Sequence, residues 1–173
     1  MGECHGPHPS GHAQARFTTR DHQQQVAEAL GDQAWERLLR WHDDMLRKEV
    51  ASARGEIVNS TGDGFFVAFE SARAGVDCAI SIQRALVDHR KGTGFAPPVR
   101  IGVHTAEANR RGADYSGKGV HVAARVAALA GGGEILATAE TLAEAGDVSV
   151  SDSRTVPVKG VAAPVSLAAI GWT

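Results

Sequence analysis

The stretch from Gly55 to Glu70 constrains the fold more than any other part of the chain. Two runs with a two-residue period, EIVNS and GFFVAFE, flank the tetrapeptide TGDG at residues 61–64. Two-residue alternation predicts strands, and a glycine-rich tetrapeptide between them predicts a tight turn, because glycine adopts the positive φ that a hairpin needs. We therefore expect a β-hairpin with Asp63 at its tip.

Helical patterns flank this hairpin in the sequence. Apolar residues recur every three or four positions from Asp32, interpreted as an N-cap, to Val50. A second pattern of this kind runs from Ser71 to about His89, and a loop rich in Gly and Pro follows from Lys91 to Pro98. We expect two amphipathic helices, one before the hairpin and one after it.

The rest of the chain continues the alternation of strands and helices. PVRIGVHTAEA predicts a strand, GKGVHVAARVAALAG a helix rich in small residues, and GEILAT another strand. From Val148 onwards the sequence alternates in the manner of edge strands. This order predicts an α+β sandwich of the ferredoxin-like type, in which helices pack on one face of a mainly antiparallel sheet.

The N-terminal stretch and the two cysteines carry no chemistry in this interpretation. Residues 1–16 contain Gly, Pro and His without an apolar period, so we expect a disordered or loosely packed tail, and one domain over residues 17–173. His5, His8 and His12 lack a carboxylate or second cysteine to complete a metal site. Cys4 and Cys78 are expected to be reduced thiols, and Cys78 a small core residue.

Composition excludes several classes of function. The formal net charge of -2 creates no field that would attract nucleic acid or an acidic membrane. No apolar run is long enough to span a bilayer and no hydrophobic signal core is present, so a cytoplasmic location is expected. An RNA-binding ferredoxin-like domain is disfavoured because aromatic residues are only 5% of the chain, too few for base-stacking strands.

Four separated motifs resemble one enzyme family. GEIVNSTGDGFFVAFESARAGVDCAISIQRAL, VRIGVHTAEA and DYSGKGVHVAARVAALAGGGEILAT occur in the order and at the spacings of the class III adenylate/guanylate cyclases, and LGDQAW with its helix is similar too. The resemblance covers roughly residues 17–160. It implies conversion of ATP to 3′,5′-cyclic AMP and pyrophosphate. It also implies a head-to-tail homodimer with active sites at the subunit interface, and two Mg²⁺ or Mn²⁺ ions held by two aspartates.

One of the two metal aspartates implied by the resemblance is absent. Asp63 matches the second of them, although a turn aspartate bonding its own backbone is the alternative. Counting back from Leu30-Gly31-Asp32 without gaps places Thr19 in the first aspartate position, and no glycine turn follows it. Asp21 is a substitute only if the local register has slipped. A hydroxyl cannot balance the charge of Mg²⁺ as a carboxylate does.

The resemblance also assigns residues that bind the nucleotide. Asn59 stands where adenylate cyclases have a base-reading lysine, and Asp114 matches their base-reading aspartate; the alternatives are an outward strand residue and a helix N-cap. Arg125 matches the arginine that stabilises charge on the transferred phosphate, with a surface ion pair as the alternative. His121, four residues before it, replaces an asparagine that orients the ribose. Lys159 matches a lysine that reaches the triphosphate, or is a plain solubilising charge.

Two hypotheses of function remain. The first is a homodimeric cyclase that acts weakly on ATP, or on GTP. The second is a pseudoenzyme that keeps the fold for nucleotide binding or dimerisation in signalling. Asp63, Asp114, Arg125 and Lys159 favour the first, whereas Thr19, Asn59 and His121 favour the second.

Overall fold

The computed structural model describes residues 12–18, 28–61, 64–106, 109–111, 114–116, 118–159 and 161–173. The strands in these ranges are His12–Thr18 (β1), Glu56–Thr61 (β2), Gly64–Phe69 (β3), Arg100–Ala106 (β4), Asn109–Arg111 (β5), Asp114–Ser116 (β6), Ile135–Thr138 (β7), Val150–Val156 (β8) and Val165–Ile170 (β9). The helices of four residues or more are Asp32–Ser52 (α1), Ala72–Thr93 (α2), Lys118–Leu129 (α3) and Ala139–Ala145 (α4).

Seven of these strands form one sheet in the order β2-β3-β1-β4-β7-β9-β8. The β4–β7 pair is parallel and the other five neighbouring pairs are antiparallel. β5 and β6 pair with each other in a separate two-stranded ribbon. The predicted mainly antiparallel sheet with helices packed on it is therefore confirmed, and so are the predicted strands EIVNS and GFFVAFE, which pair as β2 and β3.

The expected tail is wrong for residues 12–16. These residues belong to β1, which lies between β3 and β4 near the middle of the sheet. Ala13, Ala15 and Phe17 are completely buried on one face of β1, and Gln14 is buried on the other. The strand was overlooked because alanine has a low preference for strands, so the period-2 pattern HAQARFT carries little apolar contrast.

Helices cover both faces of the sheet rather than one. The face of Phe17, Val67 and Val103 packs against buried residues of α1 and α2, and α4 joins the same core through Ala145. The opposite face packs against α3: Val122 and Val126 contact Leu136 of β7, and Ala123 contacts Phe66 and Ala68 of β3. Successive strand residues point to opposite faces, so the two clusters lie on opposite sides of the sheet. Among the described helices, α3 alone packs on its side.

Several helix boundaries differ from those predicted. Gly31, at φ 77°, caps α1, and Asp32 is its first residue rather than its N-cap. Ser71 caps α2 as expected, because its hydroxyl accepts from the backbone N–H of Ala74 at 3.2 Å. That helix continues to Thr93, into the segment predicted to be a loop, and ends where Gly94 adopts the left-handed conformation. The short helix α4 was not predicted.

No helix in the ranges that the structure describes is both long and apolar enough to cross a membrane.

Candidate functional site

Helix α3 carries two of the predicted site residues. The buried residues of α3 form the side that packs on the sheet, and they are Val122, Ala123, Val126 and Ala127. His121 is exposed and Arg125 is half-buried. Because residues four apart lie above one another on a helix, both side chains lie on the side of α3 that the sheet leaves open. The predicted shared face is confirmed.

Arg125 forms no ion pair or hydrogen bond with any other residue in the described part of the chain. The interpretation of Arg125 as a member of a surface ion pair therefore has no partner among these residues. A half-buried guanidinium presents several N–H donors in a fixed plane, and these match the oxygens of a phosphate. Arg125 can thus serve as an anion-binding group on the open side of α3.

Asn59 lies on the same face of the sheet as α3. Its cross-strand partner is Phe66, and Phe66 packs against Ala123 of α3. Cross-strand partners point to the same face, and an irregularity between Ile57 and Asn59 shifts the register so that Asn59 does so here. The Asn59 side chain is exposed. The fold therefore brings the predicted base-reading position to the sheet face that carries Arg125.

Lys159 lies in a turn on the other flank of α3. The backbone N–H of Val161 donates to the carbonyl of Val158 at 3.0 Å, which closes a turn around Lys159. Val161 packs against the cluster that contains Val122 and Val126 of α3. The exposed Lys159 side chain thus starts from a segment anchored on the same helix as Arg125.

The predicted metal ligands lie outside the described residues. Thr19 and Asp21 follow the end of β1, and Asp63 precedes β3. The side chain of Asp114, in β6, is likewise not described. Thr18 and Gly64, the described neighbours of Thr19 and Asp63 in the sequence, are cross-strand partners.

By residue type alone, the predicted ligand positions Thr19 and Asp63 do not supply the two carboxylates that the resemblance implies. The two positions supply the hydroxyl of Thr19 and the carboxylate of Asp63, whereas hard divalent ions prefer carboxylate oxygens. Among the residues that the structure describes, no group of three or more His, Cys, Asp or Glu could hold a metal ion.

Comparison with known proteins gives the same family from sequence and from structure. No family model matches the chain. A putative adenylate cyclase 3 from Rhizobium meliloti (strain 1021) is 31% identical over 141 residues, which cover 79% of this chain and 23% of that protein. A receptor-type adenylate cyclase from Trypanosoma congolense is 28% identical over 173 residues, covering 73% of this chain and 23% of that protein. The chain thus spans about a quarter of the length of these relatives.

The crystal structure of the guanylyl cyclase Cya2 superimposes with a TM-score of 0.80 at 25% identity, over 92% of this chain and 91% of that one. The chain belongs to the class III adenylate/guanylate cyclase domain family. The sheet with α3 on its own face is the fold of this cyclase domain. The domain includes residues 12–16 as well, because they form β1 together with Phe17 and Thr18 and are not part of a tail.

Two polar residues on the α3 face of this cyclase domain were not singled out from the sequence. Gln14 of β1 is 1% exposed, and its Oε1 has no hydrogen-bond partner among the residues that the structure describes. Its cross-strand partner His104 places Nδ1 3.1 Å from Oγ1 of Thr138, and burial lowers the pKa of His104. Gln14 stands between two alanines in HAQARFT, and this pattern indicates a buried polar side chain only once β1 is known to be a central strand.

Proposed function

We propose that this domain is a nucleotidyl cyclase that converts ATP to 3′,5′-cyclic AMP and pyrophosphate, weakly, in the cytoplasm. It acts as a homodimer whose active sites lie between the subunits. The observation that carries this proposal is the position of three predicted nucleotide contacts around one helix. Arg125 is on α3, Asn59 is on the strand face beside it, and Lys159 is in the turn packed against it.

Each of these residues has a role that its chemistry suits. The Arg125 guanidinium donates to the phosphate on which charge develops, and it cannot lose its proton near neutral pH. Lys159 attracts the triphosphate as a flexible point charge. Asn59 and Asp114 supply a donor and an acceptor to the edge of the base, because an amide carries both and a carboxylate accepts. His121, next to Arg125 on the open side of α3, contacts the ribose.

Low turnover follows from three substituted positions. Thr19 removes a carboxylate, Asn59 replaces a lysine and His121 replaces an asparagine of the family pattern. A slightly misplaced substrate costs orders of magnitude in rate even when it binds, because the reacting atoms must be aligned. The proposed activity is therefore detectable but slow.

Incubation of the purified chain with ATP or GTP and either Mn²⁺ or Mg²⁺ tests the proposal, with the cyclic product separated by chromatography. We expect cyclic AMP with Mn²⁺ and less with Mg²⁺, which demands a more exact octahedral site. Arg125→Ala should lower the rate about 100-fold, the effect of removing one oxyanion donor. Rapid Mg²⁺-dependent turnover by the unchanged chain would contradict the weakness that we propose.

A second candidate function is a catalytically inactive cyclase domain that binds nucleotide or forms dimers in signalling. The hydroxyl of Thr19, in the position that the resemblance assigns to the first metal aspartate, favours it. ATP binding in calorimetry, weakened by Arg125→Ala, together with no cyclic product under any metal condition, would establish this function and overturn the enzymatic one.

A further inference from the structure

Gly102 lies where the backbones of β4 and α3 come close together. It lies on the α3 face of β4, between the completely buried Ile101 and Val103 that point to the other core. A Cβ atom at Gly102 would overlap the backbone N of Ala127 and would lie 2.7 Å from the backbone O of Ala123. Strand and helix therefore touch backbone to backbone, without a side chain between them.

A side chain at position 102 would have no room, and a rotamer change of a neighbouring side chain could not create it. The atoms it would meet belong to the helix backbone, and trimming a neighbouring side chain does not remove them. β4 cannot retreat either, because it is hydrogen-bonded to β1 and β7 on its two edges and covered by the α2 core behind. The helix is the element that would have to move.

The C-terminal end of α3 is held separately. Arg154 of β8 donates from Nη2 to the carbonyl of Leu129 at 3.3 Å and lies 3.5 Å from Oε1 of Glu134. The other carboxylate oxygen of Glu134 accepts from the N–H of Gly131 at 2.6 Å. A helix lifted at Ala123 and Ala127 but held near Leu129 would tilt. The displacement would grow from Leu129 towards the N-terminal end, so Arg125 would move and His121, further from the held end, would move more.

We propose that Gly102 is a positioning residue that sets the height of α3 above the sheet and thereby the place of the Arg125 guanidinium in the nucleotide site. Arg125 lies midway between Ala123 and Ala127, the two residues whose backbones contact Gly102. This inference rests on the proposed function for the role of Arg125. The seating of α3 itself depends only on the packing described above.

The test compares Gly102→Ala with Gly55→Ala. A Cβ at Gly55 would lie 2.6 Å from the Phe69 side chain and 2.9 Å from that of Val67, so it crowds the opposite core and leaves α3 alone. We expect both variants to lose thermal stability. Only Gly102→Ala should also lower kcat, by about 100-fold with a smaller change in KM, because a shift of about 1 Å at a catalytic group has that effect.

A double-variant cycle shows whether Gly102 acts through Arg125. Arg125→Ala should lower kcat strongly in the parent and little further in Gly102→Ala, since both changes remove the same contact. Additive losses in the cycle would overturn the proposal. Equal losses of kcat in Gly102→Ala and Gly55→Ala would do the same, since a general loss of stability would then suffice.

A distance measurement keeps this inference separate from the cyclase activity. Ser81→Cys on α2 and Ala128→Cys on α3 provide attachment points for spin labels at exposed positions on opposite sides of the sheet. The distance between the two labels reports how far α3 lies from α2 across the sheet. Cys4→Ser removes one competing thiol, and burial raises the pKa of the Cys78 thiol to about 12, which leaves it unreactive. We expect a longer label distance in Gly102→Ala, an unchanged one in Gly55→Ala, and ATP binding in Gly102→Ala that no longer depends on Arg125.

If the parent forms no cyclic product, the proposed turnover fails, but the label distance and ATP affinity still decide the role of Gly102. An unchanged distance with unchanged Arg125-dependent binding overturns it.

A second variant covers the case in which Gly102→Ala does not fold. Arg154→Ala loosens α3 at its C-terminal end, with Arg73→Ala as the control. Arg73 pairs with Asp77 and donates to a backbone carbonyl on the other side of the sheet. A loss of Arg125-dependent binding in Arg154→Ala alone supports the proposal, and equal behaviour of the two variants contradicts it.

Discussion

Arg125 and His121 owe their shared position to helix geometry, and Asn59 owes its position to a local irregularity of β2. The i, i+4 spacing by itself places the first two on the open side of α3. Asn59 faces α3 because the register shifts between Ile57 and Asn59 and pairs Asn59 with Phe66. Val58 packs against the same cluster of Phe66, Ala68 and Ala123. At the scale of single residues, the fold thus places His121, Arg125 and Asn59 on the α3 side of the sheet.

Restoring the family residues should increase activity. We expect Thr19→Asp combined with Asn59→Lys and His121→Asn to raise ATP cyclisation at least about tenfold over the parent, because the changes return a carboxylate, a base donor and a ribose contact. Thr19→Asp should be required in every improved combination, and the gains should not add, since all three serve one transition state. Cyclic AMP formation measures the outcome, with circular dichroism as the check on folding. A folded triple variant that binds ATP without any gain would contradict the alignment of residues 17–25.

The buried His42 makes the stability of the domain depend on pH. Burial lowers the pKa of His42 from 6.5 to about 4, against an opposing effect of Asp43, and its Nε2 has no hydrogen-bond partner in the described part of the chain. Between pH 6.5 and pH 4 the unfolded chain binds a proton that the folded chain does not. The free energy of unfolding is therefore expected to fall by up to about 3 kcal/mol as the pH drops through this window.

Urea unfolding at pH 7, 5.5 and 4.5 measures this dependence. His42→Gln should flatten the slope, because glutamine does not titrate. A smaller slope should remain from His104, whose pKa burial also lowers. Parallel loss of stability in the parent and in His42→Gln would contradict the assignment to His42.

Among the elements, β1 shows how a central strand can escape detection. Both faces of β1 are covered, by α2 on one side and α3 on the other, so its polar Gln14 is as buried as its alanines. Small residues suit this position because two helical layers approach the strand, yet small residues provide little apolar contrast for a pattern.

Ala15 should tolerate no enlargement. It is fully buried, with Val67 and Val103 as its cross-strand partners. Ala15→Leu is expected to destabilise the fold by about 1–3 kcal/mol, because extra methylene groups in a packed core displace their neighbours. Thermal unfolding measures the change, with Ala51→Leu on the exposed end of α1 as the matched control. Equal melting temperatures for the two variants would show that β1 is not packed as described.

For the whole molecule, the separation of α3 from the other described helices leaves the proposed nucleotide contacts on an open side of the sheet. Lys159, Asn59 and His121 are all exposed there. A ligand held by side chains on one open surface keeps much of its own surface in water, whereas small-molecule sites enclose most of their ligand. A second subunit would supply the missing wall.

We expect a twofold dimer in sedimentation at high micromolar concentration, favoured by nucleotide. Mixing Arg125→Ala with Asp63→Ala should then restore cyclic AMP formation, since the resemblance divides the metal and phosphate residues between subunits and a mixed dimer keeps one intact site. Monomer alone, with and without nucleotide, would count against the interfacial site. Recovery of no activity on mixing two dimeric variants would place both residues in one subunit.

The sequence by itself determined what depends on neighbouring residues: the β2–β3 hairpin, the two long amphipathic helices, the shared face of His121 and Arg125, and the family pattern. Periodicity and turn chemistry act within a few residues, so they can be read along the chain. Tertiary structure decided the inclusion of β1, the placement of α3 on its own face, and the contact of Gly102 with that helix. These depend on which distant segments cover each face of the sheet, and a one-dimensional pattern contains no measure of that.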